Sequence, residues 1–260
     1  REDLRGRGAA ILYLATGLGK TVVASAIISE IFSISKSAKV LVLAHMNELV
    51  GQLQIALWGD LPIHISSQLI NENNKPNMLE GLTVATNFSI LRYLEAGYRP
   101  DLLVIDECHH IGEDNYYGKI LERLRGVPVL GVTATPWRGD GYKIESVFGS
   151  PSYICGIEDG MRQGFLAPVE YRLFCDNIDW DIVPSISKNA YTIKQLNRKL
   201  FIPQRDEQIL DALSEVWIGI EEPKGIVFCQ SVEHAERIFR SLTKYDRWKK
   251  AEILHSKLGS

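Results

Sequence analysis

Short apolar runs alternate with stretches of helical periodicity over the first half of the chain. Each run is almost free of polar residues, which is typical of a strand in a parallel sheet that is covered on both faces. Glycine, proline or polar residues follow every run, and these residue types favour turns. The predicted strands are Ala9–Leu14, Val40–Ala44, Leu82–Ala85, Leu102–Ile105 and Val127–Val132.

The stretches between these strands predict helices. One helix is expected from about Thr21 to Phe32, and another runs through Leu49, Leu53 and Leu57, which are spaced four residues apart. Strands that alternate with helices predict an α/β fold, in which helices cover both faces of a parallel sheet. Ligands of such sheets bind at the carboxyl ends of the strands, where this sequence places its glycines and polar residues.

The pattern changes after Pro151, where glycines and polar residues become frequent. A second α/β layer begins further on, and it is unfinished at Ser260. We therefore predict a first domain over residues 1–165, followed over residues 166–260 by a linker and a truncated second lobe. Its predicted elements are strands Val169–Phe174, Gly225–Cys229 and Ala251–Leu254, and helices near Gln195, over Asp206–Ile220 and over Val232–Leu242.

Composition narrows the classes of protein. The chain has 260 residues, 45% of them hydrophobic and 23% charged, which excludes wholesale disorder. A net charge of −3 excludes binding to nucleic acid by bulk positive charge, so any such site is a local surface. The sequence holds no apolar run long enough to span a membrane. The first residues are too charged for a signal peptide, and because the chain does not begin with Met we expect a fragment.

The four cysteines lie far apart and form no CxxC pair. Scattered thiols predict a reducing, intracellular setting, and we expect a cytoplasmic protein. A zinc site at Cys108, His109 and His110 is disfavoured, because three consecutive residues rarely point at one ion.

A glycine-containing loop, Ala15–Thr21, joins the first predicted strand to the first predicted helix. Its glycines let successive N–H groups point at a phosphate, and the start of the helix adds further donors. Lys20 would reach the β- and γ-phosphates, and the Thr21 hydroxyl would bind Mg²⁺. Leu14 replaces the first glycine of the GxxxxGK[ST] pattern. The predicted phosphate-binding residues are Thr16, Gly17, Leu18, Gly19, Lys20 and Thr21.

Two carboxylates follow the strand Leu102–Ile105. Asp106 suits a magnesium ligand, and Glu107 suits a general base that activates water. The alternative is a solvated acidic turn. The pair becomes specific because a phosphate loop precedes it in the same α/β pattern.

These motifs resemble those of a superfamily 2 DEAD/DEAH-like helicase or translocase. The resemblance rests on motif I at Ala15–Thr21, motif II (DECH) at Asp106–His109 and motif III (TATP) at Thr133–Pro136. His45, Glu48 and the segment Trp137–Gly141 resemble the branch of type III restriction motor subunits and RadD-like DNA helicases. Weaker matches are motif Ia at Val42–Gln52, a strand-end motif at Val84–Ser89 and motif IV at Ile226–Ser231.

The resemblance implies two RecA-like P-loop NTPase lobes, the second one incomplete here, with ATP and Mg²⁺ as ligands. It implies Lys20, Asp106 and Glu107 as catalytic residues and Thr21 with Asp106 as magnesium ligands. His109, Thr133 and Thr135 would couple the nucleotide to nucleic acid, with DNA favoured over RNA. For each polar residue that follows a strand, an ordinary helix cap is the alternative. The implied nucleic-acid contacts are His45, Thr86, Asn87, Ser89, Gln230 and Ser231.

The chain departs from the family pattern at both ends. It shows no adenine-reading glutamine motif, and it ends before motifs V and VI, which supply an arginine finger. Loss of a finger lowers phosphoryl-transfer rates about a thousandfold or more, so the fragment itself is expected to turn over ATP weakly or not at all. An RNA helicase, a non-motor P-loop enzyme such as a small-molecule kinase, and a nucleotide-binding regulatory module remain alternatives.

Overall fold

A computed structural model describes residues 2–136, 141–171, 202–218, 220–221, 224–229 and 231–255. The chain divides into two compact units, residues 1–170 and residues 171–260. Within the described ranges, no helix combines the length and the apolar character that crossing a bilayer requires.

The first unit is built on a seven-stranded parallel sheet. Its strand order is β3-β4-β2-β5-β6-β1-β7. The predicted parallel α/β architecture is confirmed, and the five predicted strands are present with small shifts at their ends. The strands are β1 (Ala9–Leu14), β2 (Lys39–Ala44), β3 (Ser67–Ile70), β4 (Gly81–Thr86), β5 (Leu102–Asp106), β6 (Val129–Thr133) and β7 (Tyr153–Cys155).

Helices connect these strands and cover the sheet. The two predicted helices of this unit are present: the first extends slightly beyond its expected bounds, and the second contains Leu49, Leu53 and Leu57. The helices are α1 (Glu2–Gly6), α2 (Lys20–Ile34), α3 (Asn47–Trp58), α4 (Leu91–Glu95), α5 (Tyr116–Arg123), α6 (Glu145–Phe148) and α7 (Ile157–Arg162).

Alternate residues of each central strand enter two separate hydrophobic cores. In β2, for example, Val40 and Val42 face one core, whereas Leu41 and Leu43 face the other. The first core includes Ile28 of α2, and the second includes residues of α5 and α6. Both faces of the sheet are therefore buried, as the continuous apolar runs predict.

The strand order gathers the functional loops at one edge of the sheet. Strand β6 lies between β1 and β5, and all three run in the same direction. In this register Tyr13 of β1 pairs with Thr133, and Asp106 of β5 pairs with Val132. The loops that follow these three strands therefore emerge side by side.

The described residues of the second unit include two α-helices, α8 (Ile202–Val216) and α9 (Val232–Leu242), and a 3₁₀ helix over Asp246–Trp248. An ionic group joins them, because the buried carboxylate of Asp206 accepts from Arg237 Nε and lies 3.0 Å from His234 Nε2. Two indole rings, Trp217 and Trp248, pack with their centroids 3.9 Å apart.

The strands predicted in the second unit are wrong where the structure describes them. Residues 224–229 and 251–255 form no strand, and Ile226, Phe228 and Leu254 are 81%, 91% and 94% exposed. A strand needs backbone partners on a neighbouring segment. Among the described residues of this unit no such ladder forms, and the regular elements there are helices only. The expected strand over 169–174 is also absent at 169–171, and its other residues lie outside the described ranges.

Candidate functional site

Two glycines shape the loop between β1 and α2. Gly17 and Gly19 have φ values of 89° and 77°, a left-handed conformation that strains any residue with a Cβ atom. The N–H of Ala15 donates to the carbonyl oxygen of Cys155 at 3.0 Å, and the N–H of Leu18 donates to that of Ala15 at 3.1 Å. The loop therefore curls as the sequence predicts and delivers Lys20 to the first turn of α2.

Side chains outside the predicted motifs support this loop. A Cβ atom on Gly17 would lie 3.0 Å from Leu166 Cδ2, and one on Gly160 of α7 would lie 2.8 Å from Leu18 Cδ2. Close packing of this kind leaves the loop little room to move. Sequence reasoning missed this support, because Gly160 and Leu166 lie in a stretch in which apolar residues show no regular helical or strand spacing.

Glu107 adopts a left-handed conformation at the end of β5. Its φ and ψ are 47° and 50°, and it is the only non-glycine residue with a positive φ among those that the structure describes. A short 3₁₀ turn, Cys108–His110, follows it. Cys108 is fully buried in the second core, and burial raises the pKa of its thiol. The tight turn therefore places adjacent side chains, Glu107 and Cys108, in different surroundings.

Lys20, Asp106 and Glu107 converge at the carboxyl edge of the sheet. Lys20 Nζ lies 3.6 Å from Glu107 Oε1, and the two side chains are only 15% and 29% exposed. Burial and the neighbouring Glu107 charge raise the pKa of the Asp106 carboxyl, and the positive charge of Lys20 partly offsets this effect. The cluster thus combines one cation with two carboxylates, as a magnesium nucleotide site requires.

A hydrogen-bonded network holds the second oxygen of Glu107. His109 Nδ1 lies 3.3 Å from Glu107 Oε2 and 2.8 Å from Thr133 Oγ1. The Thr133 hydroxyl lies 3.4 Å from Glu107 Oε2, and Thr135 contacts His109 Nδ1 at 3.4 Å. The structure therefore brings His109, Thr133 and Thr135 together around the candidate base.

Histidine rings connect this network with the end of β2. His45 stacks on His110, with ring centroids 4.1 Å apart and an interplanar angle of 13°. His110 in turn lies against His109, with centroids 4.2 Å apart. Sequence reasoning predicts a role for His45 but not this stack.

Thr86, Asn87 and Ser89 form the turn that follows β4. The buried Thr86 hydroxyl donates to Ser89 Oγ at 2.9 Å and accepts from the Ser89 N–H at 3.2 Å. These bonds stabilise a compact turn at the same edge of the sheet as His45. The roles of these residues toward nucleic acid stay predictions.

The remaining predicted contacts fall in the second unit or outside the described residues. Ser231 caps α9, because its Oγ accepts the N–H of His234 at 3.2 Å. Gln230 and the segment 137–140 lie outside the described ranges.

The donor set suits Mg²⁺. Thr21 in the first turn of α2 offers a hydroxyl oxygen, and Asp106 offers a carboxylate; Mg²⁺ usually takes one or two such protein ligands and completes its shell with phosphate and water. Across the described ranges, no group of three or more His, Cys, Asp or Glu residues could hold a metal ion. Cys108 instead packs in the core, and His109 bonds to Thr133.

Comparison with known proteins identifies the family. Residues 2–138, just over half of the chain, match the family model described as "Type III restriction enzyme, res subunit". The chain belongs to this family. The predicted restriction-motor branch of the superfamily 2 helicases is therefore confirmed, and membership of the type III restriction res-subunit family implies the use of ATP.

Restriction enzymes and helicases are similar to this res-subunit family member. The "Type I restriction enzyme EcoAI endonuclease subunit" of Escherichia coli is 29% identical over 259 residues, covering 91% of this chain and 32% of the relative. "Probable helicase A859L" of African swine fever virus (isolate Tick/South Africa/Pretoriuskop Pr4/1996) is 25% identical over 283 residues, covering 99% of this chain and 31% of the relative. The chain thus spans about a third of the length of these curated relatives.

Solved structures share the fold of this family member. A fragment assigned as the HsdR subunit of a type I restriction enzyme from Vibrio vulnificus YJ016 matches with a TM-score of 0.61 and 24% identity, over 94% of this chain and 42% of that one. The Pyrococcus furiosus Hef helicase domain matches with a TM-score of 0.55 and 19% identity, over 96% of this chain and 53% of that one. These matches confirm the RecA-like α/β fold.

Proposed function

We propose that this chain is the ATP-binding part of a motor that couples ATP hydrolysis to translocation along DNA or to its unwinding. The observation that carries the proposal is the convergence of Lys20, Asp106 and Glu107, with both oxygens of Glu107 held by partners. A solvated acidic turn would leave Glu107 exposed to water, whereas here its side chain is 29% exposed and contacts three residues.

Each residue of the site has a distinct task. The N–H groups of the loop 15–19 and the Lys20 ammonium bind the phosphates of ATP. Thr21 and Asp106 would hold Mg²⁺, which would neutralise charge on the phosphates. Glu107 accepts a proton from the attacking water. Its left-handed backbone and its contacts with Lys20, His109 and Thr133 fix the direction of the carboxylate before ATP binds.

The network beyond Glu107 supports coupling to nucleic acid. A kinase for small molecules needs only the phosphate site, the metal and an acceptor pocket. Here Thr133 and His109 join the base to His110, whose ring stacks on His45 at the end of β2. This route leads from the hydrolytic centre toward the predicted nucleic-acid residues at the same edge.

Two comparisons favour DNA as the polymer. The relative from Escherichia coli is named as a restriction endonuclease subunit. The restriction-modification enzyme LlaGI, solved with a DNA substrate mimic, shares the fold with a TM-score of 0.51.

Cys108, Cys155 and Cys229 are free thiols, which supports the expected reducing, cytoplasmic setting.

ATPase assays of the full-length protein test the proposal, with single-stranded DNA, duplex DNA or RNA added in turn. We expect stimulation by DNA. Glu107→Gln should keep ATP binding and lower turnover about a hundredfold or more, since it removes the general base. Lys20→Ala should weaken ATP binding. Glu122→Gln, an exposed position on α5, is the matched control and should leave turnover unchanged.

Two results would contradict this assignment. Normal turnover in the Glu107→Gln variant would remove Glu107 as the base. Stimulation by RNA but not by DNA would establish the RNA helicase alternative, because the 2′-hydroxyl is the chemical difference that a protein reads.

A further inference from the structure

An exposed pair of aromatic rings lies at the carboxyl edge of the sheet. Phe88, just after β4, and Tyr116, the first residue of α5, are 58% and 42% exposed. Their ring centroids are 5.3 Å apart with an interplanar angle of 70°, an edge-to-face arrangement. We call these two residues the aromatic pair. Nothing in the hydrolytic site described above uses them.

The backbone holds Phe88 in place. The preceding Thr86 and the following Ser89 form the hydrogen-bonded turn described above, and Ile90, the next residue, is fully buried. The exposed ring therefore projects from a turn that is fixed on both sides. The turn therefore loses little further conformational entropy when a ligand binds to the ring.

Tyr116 is fixed in a comparable way. Asn115, the N-cap of α5, accepts the N–H groups of Tyr117 and Gly118, and its own amide donates to the carbonyl oxygen of His110 at 2.8 Å. Tyr117 is 2% exposed and anchors the helix in the second core. These contacts attach Tyr116 to the turn that carries the candidate base.

The surroundings of the aromatic pair suit a nucleic-acid strand. Lys119 Nζ lies 5.8 Å from the centroid of the Tyr116 ring, which adds a positive charge beside the rings. Phe88 lies in sequence between Asn87 and Ser89, two residues that the sequence predicts to contact phosphates. Aromatic faces next to phosphate-binding groups and a cation are the usual elements of single-strand binding sites.

We propose that the aromatic pair stacks on unpaired bases of the nucleic-acid strand that the motor holds at this edge of the sheet. This inference rests on the proposed motor function and adds the form of the substrate, a strand with accessible bases. An edge-to-face pair leaves at least one ring with a free face, and any base can stack there because every base has a π-face. The pair therefore adds affinity without reading sequence.

Equilibrium binding of the full chain to labelled oligonucleotides tests this inference. The probes are an oligothymidine, an abasic strand of the same length and a duplex. Wild type should bind oligothymidine about tenfold more tightly than the abasic strand, within the range of base–aromatic stacking. Phe88→Ala should remove this difference by weakening oligothymidine binding alone. Phe88→Trp should restore it.

Two further variants separate stacking from other effects. Tyr153→Ala removes a similarly exposed ring from β7, at the opposite side of the sheet, and should leave all three affinities unchanged. Lys119→Ala should weaken oligothymidine and abasic strand by the same factor, because a phosphate contact does not depend on the base. Thermal unfolding confirms that each variant is folded, as expected for substitutions of exposed side chains.

The outcomes distinguish this inference from the proposed function. Equal binding of oligothymidine and abasic strand by wild type would overturn the inference, because stacking requires the bases. The same conclusion follows if Phe88→Ala weakens both strands, or the duplex, to the same extent. Absence of binding to every nucleic acid would instead overturn the motor function itself.

Discussion

The left-handed conformation of Glu107 predicts that the backbone is strained at the candidate general base, which lowers the stability of the folded protein. A residue with a Cβ atom at φ 47° and ψ 50° is less stable by about 1–2 kcal/mol than in the right-handed region, whereas glycine is not penalised. Strain of this kind persists when the surrounding structure enforces it. Here the core residue Cys108 and the contacts of the Glu107 carboxylate provide that constraint.

The comparison of Glu107→Gly with Glu107→Ala isolates this strain. Both variants lose the contacts with Lys20, His109 and Thr133, so these contributions cancel in the difference. Glycine relieves about 1–2 kcal/mol of strain, and its more flexible unfolded chain offsets about 0.4–1 kcal/mol of that gain. We therefore expect the glycine variant to be more stable than the alanine variant by about 0.8 kcal/mol, the difference between the midpoints of these two ranges. Both should lack ATP hydrolysis.

Urea unfolding of both variants, followed by circular dichroism under identical conditions, measures the difference. The sign decides the question, because at an unstrained helical or strand position glycine is less stable than alanine by roughly 0.5–1 kcal/mol. An alanine variant that is the more stable of the two would refute the reasoning. The turn after β5 would then hold no stored strain.

Two further predictions concern the core and the candidate magnesium ligand Asp106. Gly131→Ala should lower the free energy of unfolding by about 1–3 kcal/mol, because the new Cβ would lie 2.6 Å from Phe148 Cζ. Gly6→Ala is the control, because a Cβ at Gly6 would have nothing within 4 Å. Equal losses of stability in the two variants would contradict the prediction. The raised pKa of Asp106 means that stability falls as pH rises from the ordinary carboxyl pKa through the raised one. Asp106→Asn should remove this fall in the free energy of unfolding, measured by urea unfolding at acidic and at neutral pH, and it should abolish ATP hydrolysis. An unchanged pH dependence of stability in this variant would contradict the prediction.

The sequence predicts the centre of the sheet better than its edges. Interior strands such as β2 and β5 are buried on both faces, so their composition alone identifies them. The edge strand β3, Ser67–Ile70, contains two polar residues and is only partly buried. Strand β7 has only three residues, so neither edge strand shows a long apolar run. The run Gly225–Cys229 has the right composition, but composition does not supply the neighbouring strand that pairing requires.

The candidate site divides in the same way. Lys20, Asp106 and Glu107 occur in contiguous motifs, so their residue types and spacing predict the chemistry. Phe88 follows β4, and Tyr116 begins the helix that comes after β5. Their contact depends on the spatial order β4-β2-β5, in which β2, from earlier in the chain, lies between β4 and β5. Strand order of this kind results from the whole topology, and no local pattern encodes it.

The support beneath the phosphate loop changes how mutations of this protein should be interpreted. The carbonyl oxygen of Cys155 accepts the first N–H of that loop, Leu166 packs against Gly17, and Gly160 packs against Leu18. Cys155, Gly160 and Leu166 all lie beyond residue 138, where the family match ends. In a random mutagenesis screen, substitutions at these positions would be scored as defects in nucleotide affinity. The substituted residues would nevertheless be ones that support the loop, and not ones that contact ATP.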